Sequence, residues 1–143
     1  MDGLTVVPGE PKHLKAVVAI ARMDVDLLGW APKVVFAEAI DHGHLLVAVA
    51  DDRVYGFVEY GGTTKDKWTI YKIATVQQAR GKGVGSALVE VLAERAAVAG
   101  CGVRLKVTED NHRAILFYQQ HQFHMVSMER SKKRNVWLME REK

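Results

Sequence analysis

At 143 residues the chain has the length of one domain, able to bury about two-thirds of its unfolded surface, and its 48% hydrophobic, 26% charged composition is that of an ordinary soluble globular protein. No apolar run approaches the roughly 20 residues of a membrane span, no signal-peptide pattern opens the sequence, and one cysteine excludes an internal disulfide, so a cytoplasmic protein without a membrane partner is expected. The net charge is +3, but residues 23–59 hold seven acids (Asp24, Asp26, Glu38, Asp41, Asp51, Asp52, Glu59) against Lys33 and Arg53, a balance of −5 that leaves +8 for the remainder.

Leu4–Val7 alternates weakly and predicts an edge strand, ended by Pro8-Gly9. Pro11–Met23 places Leu14, Val17, Val18, Ile20 and Ala21 on a helical stripe, with Pro11 suited to the first turn. Asp26–Pro32 reads as irregular. Lys33–Asp41 repeats the helical spacing through Val34, Val35, Ala37 and Ile40, and Gly43 fits a helix end. His44–Ala50 and Val54–Tyr60 are β-rich runs joined by Asp51-Asp52-Arg53, a hairpin that Gly61-Gly62 closes. Lys67–Val76 predicts the third strand of an antiparallel meander.

After that strand comes Arg80-Gly81-Lys82-Gly83-Val84-Gly85-Ser86, then a helix whose stripe is Val84, Ala87, Leu88, Val91, Leu92, Ala96 and Ala99. Gly100-Cys101-Gly102 stops it. Val103–Thr108 predicts a strand, Glu109-Asp110-Asn111 a capping turn, and His112–His121 a short helix. Phe123–Glu129 and Val136–Glu140 form a last hairpin around the basic turn Ser131-Lys132-Lys133-Arg134-Asn135. The class is therefore α/β (α+β): one domain over residues 1–143, with about four helices flanking a single mixed, mostly antiparallel sheet.

Chemistry concentrates at residues 80–86. A helix start leaves backbone N–H groups unpaired and carries partial positive charge. Three glycines at alternate positions remove the side chains that would keep a phosphate off those amides. Arg80 and Lys82 add charge beside them. The spacing is neither that of a P-loop nor the dinucleotide fingerprint, because Gly85 comes one residue too early for the latter. The six histidines show no metal-ligand spacing, so no metal is expected. Cys101, between two glycines, has no neighbour pattern that would activate it as a nucleophile.

Arg80-x-x-Gly83-x-Gly85 resembles the acetyl-CoA loop of the GNAT superfamily of N-acetyltransferases. Asn111-x-x-Ala114-x-x-Phe117-Tyr118, ending at Phe123, resembles the second signature of that family. The pair covers roughly Trp68 to Phe123. The resemblance implies a sheet of about seven strands and direct transfer of acetyl from acetyl-CoA, as co-substrate, to a primary amine in a ternary complex. It places Ile73, Ala74 and Thr75 where strand backbone meets the acetyl group and pantetheine. Arg80, Gly81, Lys82, Gly83, Val84, Gly85 and Ser86 fall at the pyrophosphate, and Asn111 matches a cofactor-binding residue. Tyr118 matches the catalytic hydroxyl that protonates the departing thiolate.

The sequence departs from the family at three points. Gln77 stands where proline is common. Gln122 stands where glycine is usual, at a helix end that favours positive φ. The family's base positions fall on Thr69 and Lys106, leaving Glu59, Tyr71 or a water chain as candidates. The acceptor is a small-molecule or peptide amine, cationic if acids of residues 23–59 line the cleft. Nucleic acid is not expected as a partner, and a homodimer stays open. Two other readings stand beside this one: a catalytically silent acyl-CoA-binding sensor, and a toxin-type acetyltransferase of aminoacyl-tRNA suggested by Lys132-Lys133-Arg134.

Overall fold

Asp51 and Asp52 make the turn that starts the sheet. Both adopt left-handed backbone angles, φ 49° and 61°, a region open to aspartate and demanded at both centres of a two-residue hairpin turn. They join β2 (Leu45–Ala50) to β3 (Arg53–Gly62), paired antiparallel from Ala50 opposite Arg53 to Leu45 opposite Glu59. A computed structural model describes residues 1–23, 32–62 and 65–143 of the chain. Asp24, Asp26 and most of the irregular segment expected before Lys33 lie outside the described residues.

Seven strands form one sheet in the order β1-β2-β3-β4-β5-β7-β6, where β1 is Thr5–Pro8, β4 Lys67–Thr75, β5 Gly102–Thr108, β6 His124–Glu129 and β7 Val136–Arg141. β4 and β5 run parallel, with Lys67 opposite Gly102. The β1–β2, β2–β3, β5–β7 and β6–β7 pairs are antiparallel. Among the described residues the α-helices are α1 (Leu14–Met23), α2 (Lys33–Asp41), α3 (Val84–Val98) and α4 (His112–Gln120). This is the mixed, mostly antiparallel α/β architecture expected from the sequence. β1 is one of the two edge strands, and it includes Pro8, which has no N–H to offer a further partner.

Several boundaries differ from the sequence reading, each for a local reason. Pro11–His13 is a 3₁₀ turn, not the start of α1, and the Glu10 amide closes it by donating to His13 Nδ1 at 3.0 Å. Gly61 and Gly62 continue β3 instead of ending it. The bare face of Gly61 receives the Tyr71 ring: a Cβ there would lie 2.9 Å from Tyr71 Cε2. In α3, Val89 and Ala93 are buried beside the expected stripe, and Ala99 falls beyond the helix and is exposed.

The fold comprises two compact units. One is Met1–Tyr60 with Lys72–Leu92; the other is Gly61–Tyr71 with Ala93–Lys143. In the first, Val17 and Ile20 of α1 and Phe36 of α2 pack with Leu45, Val47, Phe57 and Ala74. Phe36 meets Phe57 edge to face at 5.3 Å. In the second, the buried residues include Val103, Leu105 and Val107 of β5, Met139 of β7, Ile115 and Tyr118 of α4, and Phe123. Lys67 Nζ ties β4 to the chain's end through Glu142 at 3.2 Å.

Candidate functional site

The glycine-rich loop is built by what flanks it. β4 ends at Thr75, and Gln77–Ala79 forms a single 3₁₀ turn closed by Ala79 N donating to Val76 O at 3.0 Å. Lys82 N then donates to Ala79 O at 3.2 Å, and α3 begins at Val84, whose side chain is 1% exposed. The helix thus starts at Val84, the first residue of the stripe read from sequence, and takes in Gly85 and Ser86 of the glycine-rich stretch.

Gly81 and Gly83 take φ values of +78° and +85°. A Cβ at either would meet no atom of the described residues within 4 Å. Packing does not require these glycines; the backbone conformation does, and the space above them stays open to a ligand. Across this start Ala87 N donates to Gly83 O at 3.0 Å, the first bond of the helix. The amides of Val84 and Gly85 lie ahead of it, where a helix supplies no carbonyl. No acid occupies the first turn of α3. Arg80 and Lys82 are exposed alongside. The arrangement suits an anion by backbone donation, helix dipole and nearby positive charge together.

A pocket of about 250 Å³ adjoins it, lined by Met23, Thr75, Gln77 and Arg80. It brings together Thr75 and Arg80, both anticipated. Gln77 and Met23 were not anticipated as lining residues. Met23 belongs to the helical period of α1, and nothing in that period marks its last residue as exposed pocket wall. Ile73 is half-buried, whereas the side chain of Ala74 belongs to the core, so what Ala74 offers a ligand is backbone.

Asn111 and Tyr118 belong to the second unit. Asn111 is the N-cap of α4: its Oδ1 accepts from the Ala114 amide at 3.2 Å. Tyr118 is 7% exposed, edge to face with both Phe117 and Phe123 at 5.3 Å. Burial pushes its hydroxyl well above the ordinary phenol range. Tyr118 therefore keeps its proton at physiological pH. Gln122 has φ 68°, the conformation expected of the glycine it replaces.

The candidate bases differ sharply. Glu59 is 9% exposed, and no donor reaches its Oε1. Burial raises its pKa, with the charge of Lys72 opposing the rise. Tyr71 is 50% exposed. Thr69 is half-buried on β4, and Lys106 is engaged with Glu129 at 2.9 Å. Among the described residues no group of three or more His, Cys, Asp or Glu is placed to hold a metal ion, and no helix is long and apolar enough to cross a membrane.

Comparison with known proteins gives the same direction. No curated protein matches the sequence. Among solved structures, Ard1 from Thermoplasma volcanium superposes with a TM-score of 0.86 at 25% identity, covering 98% of this chain and 97% of that one. The ribosomal-protein-S18-alanine N-acetyltransferase from Escherichia coli gives 0.79 at 20% identity, over 97% and 93%. Arabidopsis thaliana Naa50, in complex with the bisubstrate analogue CoA-Ac-MVNAL, gives 0.80 at 18% identity, over 99% of each chain. At those last two identities the likeness is one of fold. Residues 18–123 match the Acetyltransferase (GNAT) family, and the chain belongs to it.

Proposed function

We propose that residues 1–143 form a single acetyltransferase domain that moves the acetyl group of acetyl-CoA directly to a primary amine in a ternary complex. The observation that carries this is the open loop at Gly81 and Gly83, set on an acid-free helix start. In this reading residues 80–86 hold the pyrophosphate, and the backbone of Ile73, Ala74 and Thr75 meets the pantetheine and acetyl group. Asn111 caps α4 and binds the cofactor. Tyr118 protonates the thiolate as the tetrahedral intermediate collapses.

The acceptor is a small-molecule or peptide amine. Peptide acceptors gain support from two relatives: the Escherichia coli enzyme is named for an alanine of a ribosomal protein, and the Naa50 complex holds a peptide-bearing analogue. An intact tyrosine at position 118 favours turnover over silent binding of acyl-CoA. Free-CoA release across a panel of primary amines tests the proposal. Release matched by acetylated product with at least one amine is expected. Tight acetyl-CoA binding without release across the panel would replace it with the silent-binding reading.

A further inference from the structure

Four cations stand close together in the turn between β6 and β7: Arg130, Lys132, Lys133 and Arg134, all exposed. Among the described residues none of their charged groups enters an ion pair. Two acids border the turn, and both are engaged elsewhere. Glu129, which precedes Arg130, gives its Oε2 to Lys106 of β5 at 2.9 Å. Glu109 accepts at its Oε1 from the neutral side-chain amide of Asn135 at 3.1 Å. Asp110, exposed beside Glu109, is matched in charge by Arg113 of α4. The turn therefore keeps its positive charge.

It is also held in shape. Ser131 Oγ donates to the carbonyl of Arg134 and accepts from the Arg134 amide at 3.2 Å, which closes the turn with Lys132 and Lys133 at its tip. Asn135 fastens the far end: the Glu109 amide donates to Asn135 O at 3.0 Å, beside the side-chain bond to Glu109. Like charges ordered into one small turn repel one another and oppose folding. Nothing within the turn gains from that repulsion. An anionic partner does, because it meets cations already arranged and less ordering remains to be done on binding.

Its place follows from β5. β4 and β5 pair in parallel as far as Ile70 opposite Leu105, while β5 runs on to Thr108. Thr108 lies opposite Val136 at the start of β7. The turn thus stands at the carboxyl end of β5, the end at which parallel strands receive ligands, and is fastened to Glu109, two residues ahead of Asn111. The chemistry fits carboxylates better than nucleic acid. Residues 129–135 hold no aromatic ring for a base to stack on, and Trp137 is half-buried opposite Val107 and Met128.

We propose that the turn from Arg130 to Arg134 docks an acidic segment of a peptide or protein acceptor, whose Asp and Glu side chains meet these four cations while the acceptor amine lies further along the same chain. The inference rests on the acetyltransferase reading and gives its acceptor a charge, the opposite of the cation expected if acids of residues 23–59 line the cleft. No covalent bond changes at the turn. It contributes binding and steers association, and salt screens both effects.

The test reads the fluorescence anisotropy of labelled peptides without acetyl-CoA. One peptide carries a run of Asp and Glu, a second has Asn and Gln in their place, and an oligouridylate of equal charge is the nucleic-acid probe. Wild type should bind the acidic peptide roughly 10-fold more tightly than the neutral one at low salt. The difference should be gone at about 1 M salt, where the screening length is about 3 Å. It should vanish in a variant combining Arg130→Gln, Lys132→Gln, Lys133→Gln and Arg134→Gln. It should persist in a control of equal charge combining Lys15→Gln, Arg22→Gln, Lys33→Gln and Arg95→Gln, all at exposed positions. With an accepted acidic peptide, KM should rise roughly 10-fold in the turn variant while kcat is unchanged. Equal affinity of wild type for the two peptides, an equal loss in the control variant, or tighter binding of the oligouridylate than of the acidic peptide would overturn the proposal. Docking of the acidic peptide with no release of CoA to any amine would count instead against the acetyltransferase reading, since the binding comparison uses no cofactor.

Discussion

The amide of Phe123 donates to the carbonyl of Tyr118 at 3.0 Å, and their rings meet edge to face with centroids 5.3 Å apart. Together with Gln122 N donating to Gln119 O at 3.2 Å, this closes α4 in a Schellman motif whose apolar contact is the Tyr118–Phe123 pair. The motif bends the chain back over the catalytic candidate, which is how Tyr118 comes to be buried on a short helix. α2 and α3 end the same way, with Gly43 and Gly100 at the left-handed position. In α4 that position is Gln122, at φ 68°.

A glutamine held there carries strain that glycine would not. Gln122→Gly should stabilise the domain by about 1 kcal/mol, the lost strain being partly offset by the freer unfolded chain. The urea midpoint reads this directly, and a lower midpoint would mean that the side chain of Gln122 contributes more than its backbone costs.

Tyr118→Phe keeps both ring contacts and removes the hydroxyl. The variant should fold and bind acetyl-CoA as wild type does, while kcat falls roughly 10²-fold. An unchanged kcat would reduce Tyr118 to the packing partner of Phe117 and Phe123.

Glu59 gives stability an unusual pH dependence. Its folded pKa is raised by burial, with Lys72 opposing, so the folded state holds the proton more tightly than the unfolded chain. Below about pH 4.3, the ordinary glutamate value, the carboxyl is protonated in both states and costs nothing. As pH rises from there through the raised folded value, the folded state loses stability. Relative to Glu59→Gln, wild type should therefore weaken as pH climbs through this window, opposite to an acid held in an ion pair. Urea midpoints of the two proteins across that range should diverge; parallel curves would mean that burial does not hold the proton.

Much of this was legible in the sequence, because period and turn chemistry are local signals. The hairpin at Asp51-Asp52, the strand before the loop, and the stop at Gly100 all depend on neighbours within a few residues. The failures depend on distant ones. Gly61 and Gly62 read as a stop because glycine ends strands, but the ring of Tyr71, from another strand, fills the space above Gly61. Val89 and Ala93 lie outside a single stripe, and a single stripe understates a helix covered on a wider face. Glu59 was one candidate base among several, because no periodic pattern distinguishes a buried glutamate from the exposed acids around it. Gln122 succeeded because a glutamine in a glycine position announces its own backbone angle.

The glycine loop is most directly tested by titrating acetyl-CoA calorimetrically into wild type and Gly83→Asp, with folding checked by circular dichroism. Among the described residues nothing lies within 4 Å of a Cβ added at Gly83, so the variant should fold, at a cost of roughly 1–2 kcal/mol for a side chain at φ +85°. Wild type should bind, and the variant should show no measurable heat, its carboxylate sitting where the pyrophosphate would lie. A folded Gly83→Asp that binds acetyl-CoA as tightly as wild type would contradict the assignment of this loop as the cofactor's phosphate cradle.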